Sequence, residues 1–473
     1  MAIFSLTQSS QGLKLVEVEV QLVRGMPSLQ VLGRPDSSIK ECALRLKTAF
    51  QNLGWEWPRN QQIVVNLKPA HLRKESSGLD LAIALGIRMA QEELDLKTTF
   101  KNSDVVAFGE VDLQGNVCAP RELAFWEGTS SQIVLTGPSS WDFHFDVFEI
   151  SNLSQVKQAS HRPAKNFKEF LVAPQKKEFF FSKKAARLLA ITTSGEHSLL
   201  LAGPAGSGKS TWAEALGAML PPPFEKEFLK ARIFHLRQKR ELKWRPFLQP
   251  HHSASNISLV GGGVPPRPGA FTLAHGGVLL MDEYLEFSKE IQEALREPME
   301  KAEVHLFRGT EMVVYPSRFQ LIATTNLCPC GNFEPGKIVS CSTSLRRCRS
   351  ILERLSGPVV DRFDILHFTS EWGPKEIFSE NIEENINAAI KFRKSRGQSY
   401  PNSLLPLTKL TQDFPAKLKP YLPEQGSSQR RLRALLRVAR SLADLNQNAE
   451  IGVQEINEAM ELTWSPFEQL KQC

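Results

Sequence analysis

Apolar and polar positions alternate in short stretches of the first third of the chain: KLVEVEVQLV (14–23), QIVVNL (62–67), DVVAFGEVDL (104–113) and QIVLTG (132–137). A period of two is that of a strand with one covered face. Between these runs the period changes once, where Leu79, Leu81, Ala82, Ile83, Leu85, Gly86 and Met89 recur as on a packed helix. Residues 1–165 therefore read as a separate α+β domain. The polar, lysine-rich stretch 166–179 holds no sustained period and serves as a linker.

From Phe180 the pattern becomes helix, buried strand (HSLLLAG), glycine-rich loop and helix. That order opens a doubly wound α/β core with a parallel sheet. The core is expected over 180–370. After Glu371 strand patterns vanish, and 428–445 and 453–463 carry leucine and arginine at helical spacing. Residues 371–473 thus read as an all-helical domain.

Composition narrows the class. The 473 residues are 41% apolar and 23% charged, which suits folded globular domains and excludes a disordered chain. No run approaches the roughly 18 apolar residues of a membrane helix, and MAIFSLTQSSQGLK lacks a basic segment followed by an apolar one. The expected location is the cytoplasm, without membrane contact. A net charge of +7 is compatible with a polyanionic partner but too small to demand one. Seven cysteines, four of them between Cys328 and Cys348, point to metal rather than to disulfides.

The glycine-rich loop reads GPAGSGKS, with Gly203, Pro204, Ala205, Gly206, Ser207, Gly208, Lys209, Ser210 and then Thr211. Backbone N–H groups of such a loop surround a β-phosphate, and the positive end of the following helix faces the same charge. Lys209 is expected to reach the β- and γ-phosphates of ATP, and Ser210 to ligate Mg²⁺. Downstream, GGVLLMDE (276–283) is an apolar strand ending in two carboxylates. Asp282 suits Mg²⁺, and Glu283 suits a general base for the attacking water. A third strand, FQLIATTN (319–326), ends in Asn326, which is a turn residue or a group that positions the lytic water. In VVDRFD, Arg362 is a surface ion-pair residue or an arginine finger for a neighbouring subunit's ATP.

These residues, together with PHHSASNISLVGGGVPPRPGAFTLAHGGVLLMDEYLEF (250–287), ALREPMEKAEVHLFRGTEMVVYPSRFQLIATTNLCPCG (294–331), LSGPVVDRFDI (355–365) and SSQRRLRALLRVARSLADL (427–445), resemble the bacterial ComM/YifB family of magnesium-chelatase-like AAA+ ATPases. LQVLGRPDSSIKECALRLKTAFQNLGWEWP (29–58) and IVVNLKPAHLRKESSGLDLAIALGI (63–87) extend the resemblance over nearly the whole chain. It implies an AAA+ P-loop core with a helical lid, assembled as a homo-hexamer with ATP between subunits. By motif position, Arg362 would act in trans and Arg430 would be the sensor-2 arginine of the lid. The implied activity is ATP-driven translocation on single-stranded or branched DNA, promoting branch migration during recombination of incoming DNA. His251, His252, Lys243, Arg245 and Arg267 are the candidate phosphate-backbone contacts.

Two alternatives stay open. One is a magnesium-chelatase motor subunit that remodels a protein partner; the other is an activator of the σ54-dependent type, suggested by GAFTLA (269–274). Cys328, Cys330, Cys341 and Cys348 are spaced for a Zn²⁺ site, with Cys348 replacing a displaced fourth ligand. The first domain resembles the S5-like fold of Lon protease domains. Ser76 and Ser77 lie near the nucleophile position of that family, but Ala124 occupies the place of its lysine, so a non-proteolytic module is expected.

Overall fold

The computed structural model describes residues 3–9, 12–32, 37–69, 78–101, 103–128, 132–175, 177–264, 266–308, 311–328, 344, 354–355, 360–372, 382–412 and 428–472. The chain forms two compact units, the first comprising 1–172 and 232–243, the second 173–231 and 244–473.

The first unit is built on one mixed eight-stranded sheet. Its strands in chain order are β1 (Ile3–Ser9), β2 (Gly12–Arg24), β3 (Leu29–Leu32), β4 (Gln61–Lys68) and β5 (Val105–Ala107). A small antiparallel pair, β6 (Glu110–Val111) and β7 (Val117–Cys118), precedes β8 (Ile133–Thr136), β9 (Val147–Glu149) and β10 (Ser160–Arg162). The sheet order is β10-β9-β8-β5-β1-β2-β4-β3. Alternation sets the faces: Val16 and Val18 of β2 and Ile63, Val65 and Leu67 of β4 are buried. The helix Leu79–Ala90 is buried from Leu79 to Ile87, and Gly86 permits close approach, since a Cβ there would fall 2.5 Å from Val20 Cγ2. The one carboxylate on this buried face, Asp80, takes a bidentate pair from Arg45, Nε to Oδ2 and Nη2 to Oδ1, both at 3.1 Å.

The second unit holds a five-stranded parallel sheet. Its strands are β11 (Leu199–Ala202), β12 (Phe247–Leu248), β15 (Val278–Met281), β18 (Gln320–Thr325) and β19 (Ile365–Phe368), in the order β12-β15-β18-β11-β19. Two antiparallel hairpins stand apart from it: β13 (Gly261–Gly262) with β14 (Arg267–Pro268), and β16 (Glu303–Arg308) with β17 (Glu311–Pro316). Every residue of β11, β15, β18 and β19 is buried, which explains why β11 and β15 read as unbroken apolar runs rather than alternations. The helix Lys183–Gly195 covers the sheet, with the Ser182 hydroxyl accepting from the Ala185 N–H at its start. Trp212, fully buried on the helix Lys209–Ala218, donates from Nε1 to the Ala185 carbonyl at 3.0 Å. Beyond β19 the described elements are helical, with Ile382–Ser395, Gln429–Leu445 and Val453–Thr463 sharing the apolar core of the sheet.

Candidate functional site: a phosphate loop and its neighbours

Strand order determines which side chains meet. β18 lies between β11 and β15, so Asn326 emerges between the phosphate loop after β11 and the two carboxylates after β15. In the loop, Gly206 and Gly208 have φ of +75° and +90°, the left-handed region that favours glycine. A Cβ on Gly206 would meet nothing within 4 Å, so space stays open there, whereas one on Gly203 would fall 2.0 Å from Thr369 Oγ1. The Thr369 hydroxyl donates to Ser207 Oγ at 2.8 Å, fixing the loop from the end of β19. Trp372, four residues beyond that strand, faces Gly208.

Lys209 is buried and curls back along the loop. Its Nζ donates to the carbonyls of Gly203 (2.9 Å) and Pro204 (2.7 Å) and to Asn326 Oδ1 (3.0 Å). Burial lowers its pKa, against the opposing pull of Asp282 and Glu283. Ser210 Oγ donates to Asp282 Oδ2 at 3.4 Å, and the Thr324 hydroxyl donates to Asp282 Oδ1. Two hard oxygen donors are thus brought together in a form that suits Mg²⁺. Gln249 Nε2 reaches the same carboxylate at 3.5 Å.

Glu283 adopts a left-handed conformation with φ +54°, which is unusual for a side chain other than glycine or asparagine and signals a locally imposed backbone. Its N–H is held by Thr324 Oγ1 at 3.2 Å, and its carboxylate lies 3.4 Å from His252 Nδ1.

The two arginines lie elsewhere. Arg362 donates to the Gln292 carbonyl of its own chain. Arg430, at the start of the helix Gln429–Leu445, is half-exposed and pairs with Glu300. The adjacent Arg431 is the buried one: it binds Asp361 at 3.1 Å and the carbonyls of Phe363 and Val360, and its guanidinium lies 3.3 Å from the centre of the Phe467 ring.

The sequence grouped Arg245 with exposed basic contacts, and the structure corrects this. Its side chain is 1% exposed, paired with Glu196 at 2.8 Å and donating to the Gly276 carbonyl at 2.9 Å. A guanidinium that neutralises a buried carboxylate is not available to a polyanion. His251 and Arg267 are exposed and His252 is partly so, while Lys243 is exposed on the first unit. Among the cysteines of the proposed zinc site, Cys328 is buried; Cys330, Cys341 and Cys348 lie outside the described residues, as do Ser76 and Ser77. Among the described residues no cluster of three or more His, Cys, Asp or Glu side chains is placed to hold a metal ion. Ala124 is buried in the short helix Arg121–Phe125. No helix among the described residues is long and apolar enough to cross a membrane.

Sequence reasoning missed Thr324, Thr369, Gln249 and the His252–Glu283 pair. Thr324 had a signal, since it shares the TTN run with Asn326; Thr369 and Gln249 sit outside any motif.

A phosphate loop beside an acidic strand end, with an asparagine-bearing strand between them in a parallel sheet, defines the class as a P-loop ATPase core. Residues 177–377 match the family model of magnesium chelatase subunit ChlI, 18–124 match a second model of subunit ChlI, and 376–463 match its C-terminal model. The chain is 32% identical over 480 residues to YifB of Salmonella typhimurium, covering 94% of this chain and 93% of that protein. It is 30% identical over 497 residues to the competence protein ComM of Haemophilus influenzae, covering 96% of each. YifB of Escherichia coli is 32% identical over 479 residues, covering 94% of this chain and 93% of that protein. The chain belongs to the ComM/YifB family of magnesium-chelatase-like AAA+ proteins, whose ligands are ATP and Mg²⁺.

Proposed function

We propose that this chain is a hexameric ATP-driven motor that translocates on DNA and promotes branch migration during recombination of incoming DNA. The observation that carries the ATPase part is the pair of hydrogen-bonded groups Lys209–Asn326 and Ser210–Asp282–Thr324 beside the phosphate loop. Gly203 to Thr211 bind the phosphates, Lys209 bridges the β- and γ-phosphates, and Ser210 and Asp282 hold Mg²⁺, which offsets charge on the phosphates. Glu283 takes the proton of the attacking water and Asn326 orients that water. Arg362 reaches the ATP of the next subunit, and Arg430 follows the nucleotide from the lid. The DNA part rests on the competence protein ComM, whose length this chain matches almost completely.

In the same reading, residues 1–165 form an S5/Lon-like module without protease activity, joined by 166–179 to a 180–370 core and a 371–473 lid. Cys328, Cys330, Cys341 and Cys348 bind Zn²⁺. The motor works in the cytoplasm.

ATP turnover is measured with and without single-stranded and four-way branched DNA, for the wild type and Glu283→Gln. The proposal expects stimulation by DNA, and loss of turnover with rings and DNA binding retained in the variant. Turnover indifferent to DNA, with no DNA retained in ATP, sinks the translocase. A chelatase-type motor acting on a protein partner is the second reading, favoured by the ChlI match over 177–377; in that case turnover responds to a partner protein and not to DNA.

A further inference from the structure

We infer that a cavity at the end of the parallel sheet away from the phosphate loop binds a small hydroxyl-bearing oxyanion with the size and charge of bicarbonate. The inference does not depend on the reading of the chain as a motor.

The cavity lies wholly within the second unit. Its walls include the starts of three strands: Glu196 precedes β11, Gly276 and Gly277 precede β15, and Gln320 opens β18. Because these strands run parallel, the phosphate loop and the acidic strand end lie at their opposite ends. Ser403 and Leu404, from the short helix Asn402–Leu404 of the helical region, complete the lining. The volume of about 30 Å³ admits roughly two or three water-sized groups.

Charge around this cavity is out of balance. Arg245 pairs with Glu196 at 2.8 Å, and Arg318 lies 3.7 Å from Glu196 and pairs with Glu227. Arg393, attracted by the same Glu196, donates from Nη1 to the Ser194 carbonyl at 2.6 Å. Among the described residues, three guanidinium groups thus share two carboxylates. The next carboxylate, Asp444, is already held by Arg396 and Arg440. His275, just before Gly276, adds no charge of its own, because burial and the charges of Arg318 and Lys230 lower its pKa to about 3. A buried cation in excess is costly until an anion joins it.

Two buried polar atoms of the cavity walls have no hydrogen-bond partner among the described residues, and they are of opposite kind. Arg318 Nε is a donor. Gln320 Oε1 is an acceptor, and its orientation is fixed because Nε2 donates to the carbonyls of Thr192 and His197, both at 2.9 Å. A group that satisfies both atoms must accept one hydrogen bond and donate another. Water does so without supplying charge, and chloride supplies charge without a donor. A singly charged oxyanion with one hydroxyl supplies all three, and the volume suits bicarbonate better than phosphate. Held between the strand starts and 402–404, the anion fastens the helical region to the sheet and stabilises the unit by mass action.

The test follows thermal unfolding of the full chain at fixed pH and ionic strength in rising sodium bicarbonate, sodium formate or sodium chloride. Bicarbonate is expected to raise Tm by about 2–4 °C towards a plateau. Formate, planar and singly charged but without a hydroxyl, is expected to give less than about half of that rise, and chloride no saturating rise. Ser403→Phe fills the cavity without removing a charged group and should abolish the bicarbonate shift. Gln320→Met removes the acceptor and should bring bicarbonate down to the formate level. No saturating shift with bicarbonate means that the cavity holds water only and overturns the inference. Equal shifts with all three salts mean general ion binding and overturn it as well, as does a bicarbonate shift that survives in Ser403→Phe. Should one variant fail to fold, the three salts on the wild type and the other variant decide.

Discussion

Lys209 Nζ lies 3.0 Å from Asn326 Oδ1, so the lysine of the glycine-rich loop and the asparagine at the end of the neighbouring strand are in contact. The amide holds the ammonium close to where a γ-phosphate and its attacking water would lie. Asn326→Ala is expected to lower kcat about 10- to 100-fold while nucleotide affinity changes less than threefold, because the interaction serves the transition state more than ground-state binding. Isothermal titration beside steady-state kinetics checks this. A loss confined to affinity would show instead that Asn326 only anchors the lysine.

Gly203 admits no side chain beneath Thr369. A Cβ there lies 2.0 Å from Thr369 Oγ1, and the same hydroxyl fastens Ser207. Gly203→Ala is expected to weaken nucleotide binding at least about tenfold, and Thr369→Ala to recover part of the loss. The double-mutant cycle should show coupling of about 1 kcal/mol or more. Strict additivity would separate the two sites.

Adjacent arginines on one helix should separate stability from turnover. Arg431 is buried against Asp361, two backbone carbonyls and Phe467, whereas Arg430 meets Glu300 at the surface. Arg431→Ala leaves a carboxylate and two carbonyls with a partner lost and is expected to cost about 3 kcal/mol. Arg430→Ala should change stability by less than about 1 kcal/mol and act on ATPase rate. Denaturant melts and turnover assays on both variants decide the assignment.

His275 makes the second unit sensitive to acid. Burial, followed by the nearby charges of Arg318 and Lys230, lowers its pKa to about 3, while its Nδ1 accepts the Arg318 N–H at 3.1 Å. The folded pKa is below the unfolded one, near 6.5, so the neutral ring contributes stability above pH 6.5. That contribution is lost as pH falls towards 3. Between pH 7.5 and 5.5 the loss is about 1.4 kcal/mol. Chemical denaturation at both pH values should show this loss in the wild type and a correspondingly smaller one in His275→Gln.

What the sequence revealed follows the range of the interactions. Gly206, Gly208 and Lys209 are legible because a phosphate loop is local, its φ angles and its helix start lying within eight residues. β11 and β15 are legible as apolar runs because both their faces are covered. Thr369 on Ser207 and His252 on Glu283 join positions 162 and 31 residues apart, and no local pattern announces either contact. Arg245 was misread for the complementary reason: a lysine- and arginine-rich stretch reads as solvated until its carboxylate partner, Glu196, is found 49 residues earlier. The inclusion of 232–243 in the first unit also depends on packing that periodicity does not carry.

In the proposed motor each ATP is hydrolysed by two subunits. The proposed function has Arg362, which donates to the Gln292 carbonyl of its own chain here, act on a neighbour's nucleotide. The most direct measurement mixes two inactive variants, Lys209→Ala and Arg362→Ala, in equal amounts and follows ATP turnover. In rings assembled at random, about a quarter of interfaces unite an intact loop with an intact arginine. The account predicts that activity reappears on mixing, up to about that fraction of the wild-type rate. A mixture no more active than its components, in rings shown to contain both variants, would contradict it.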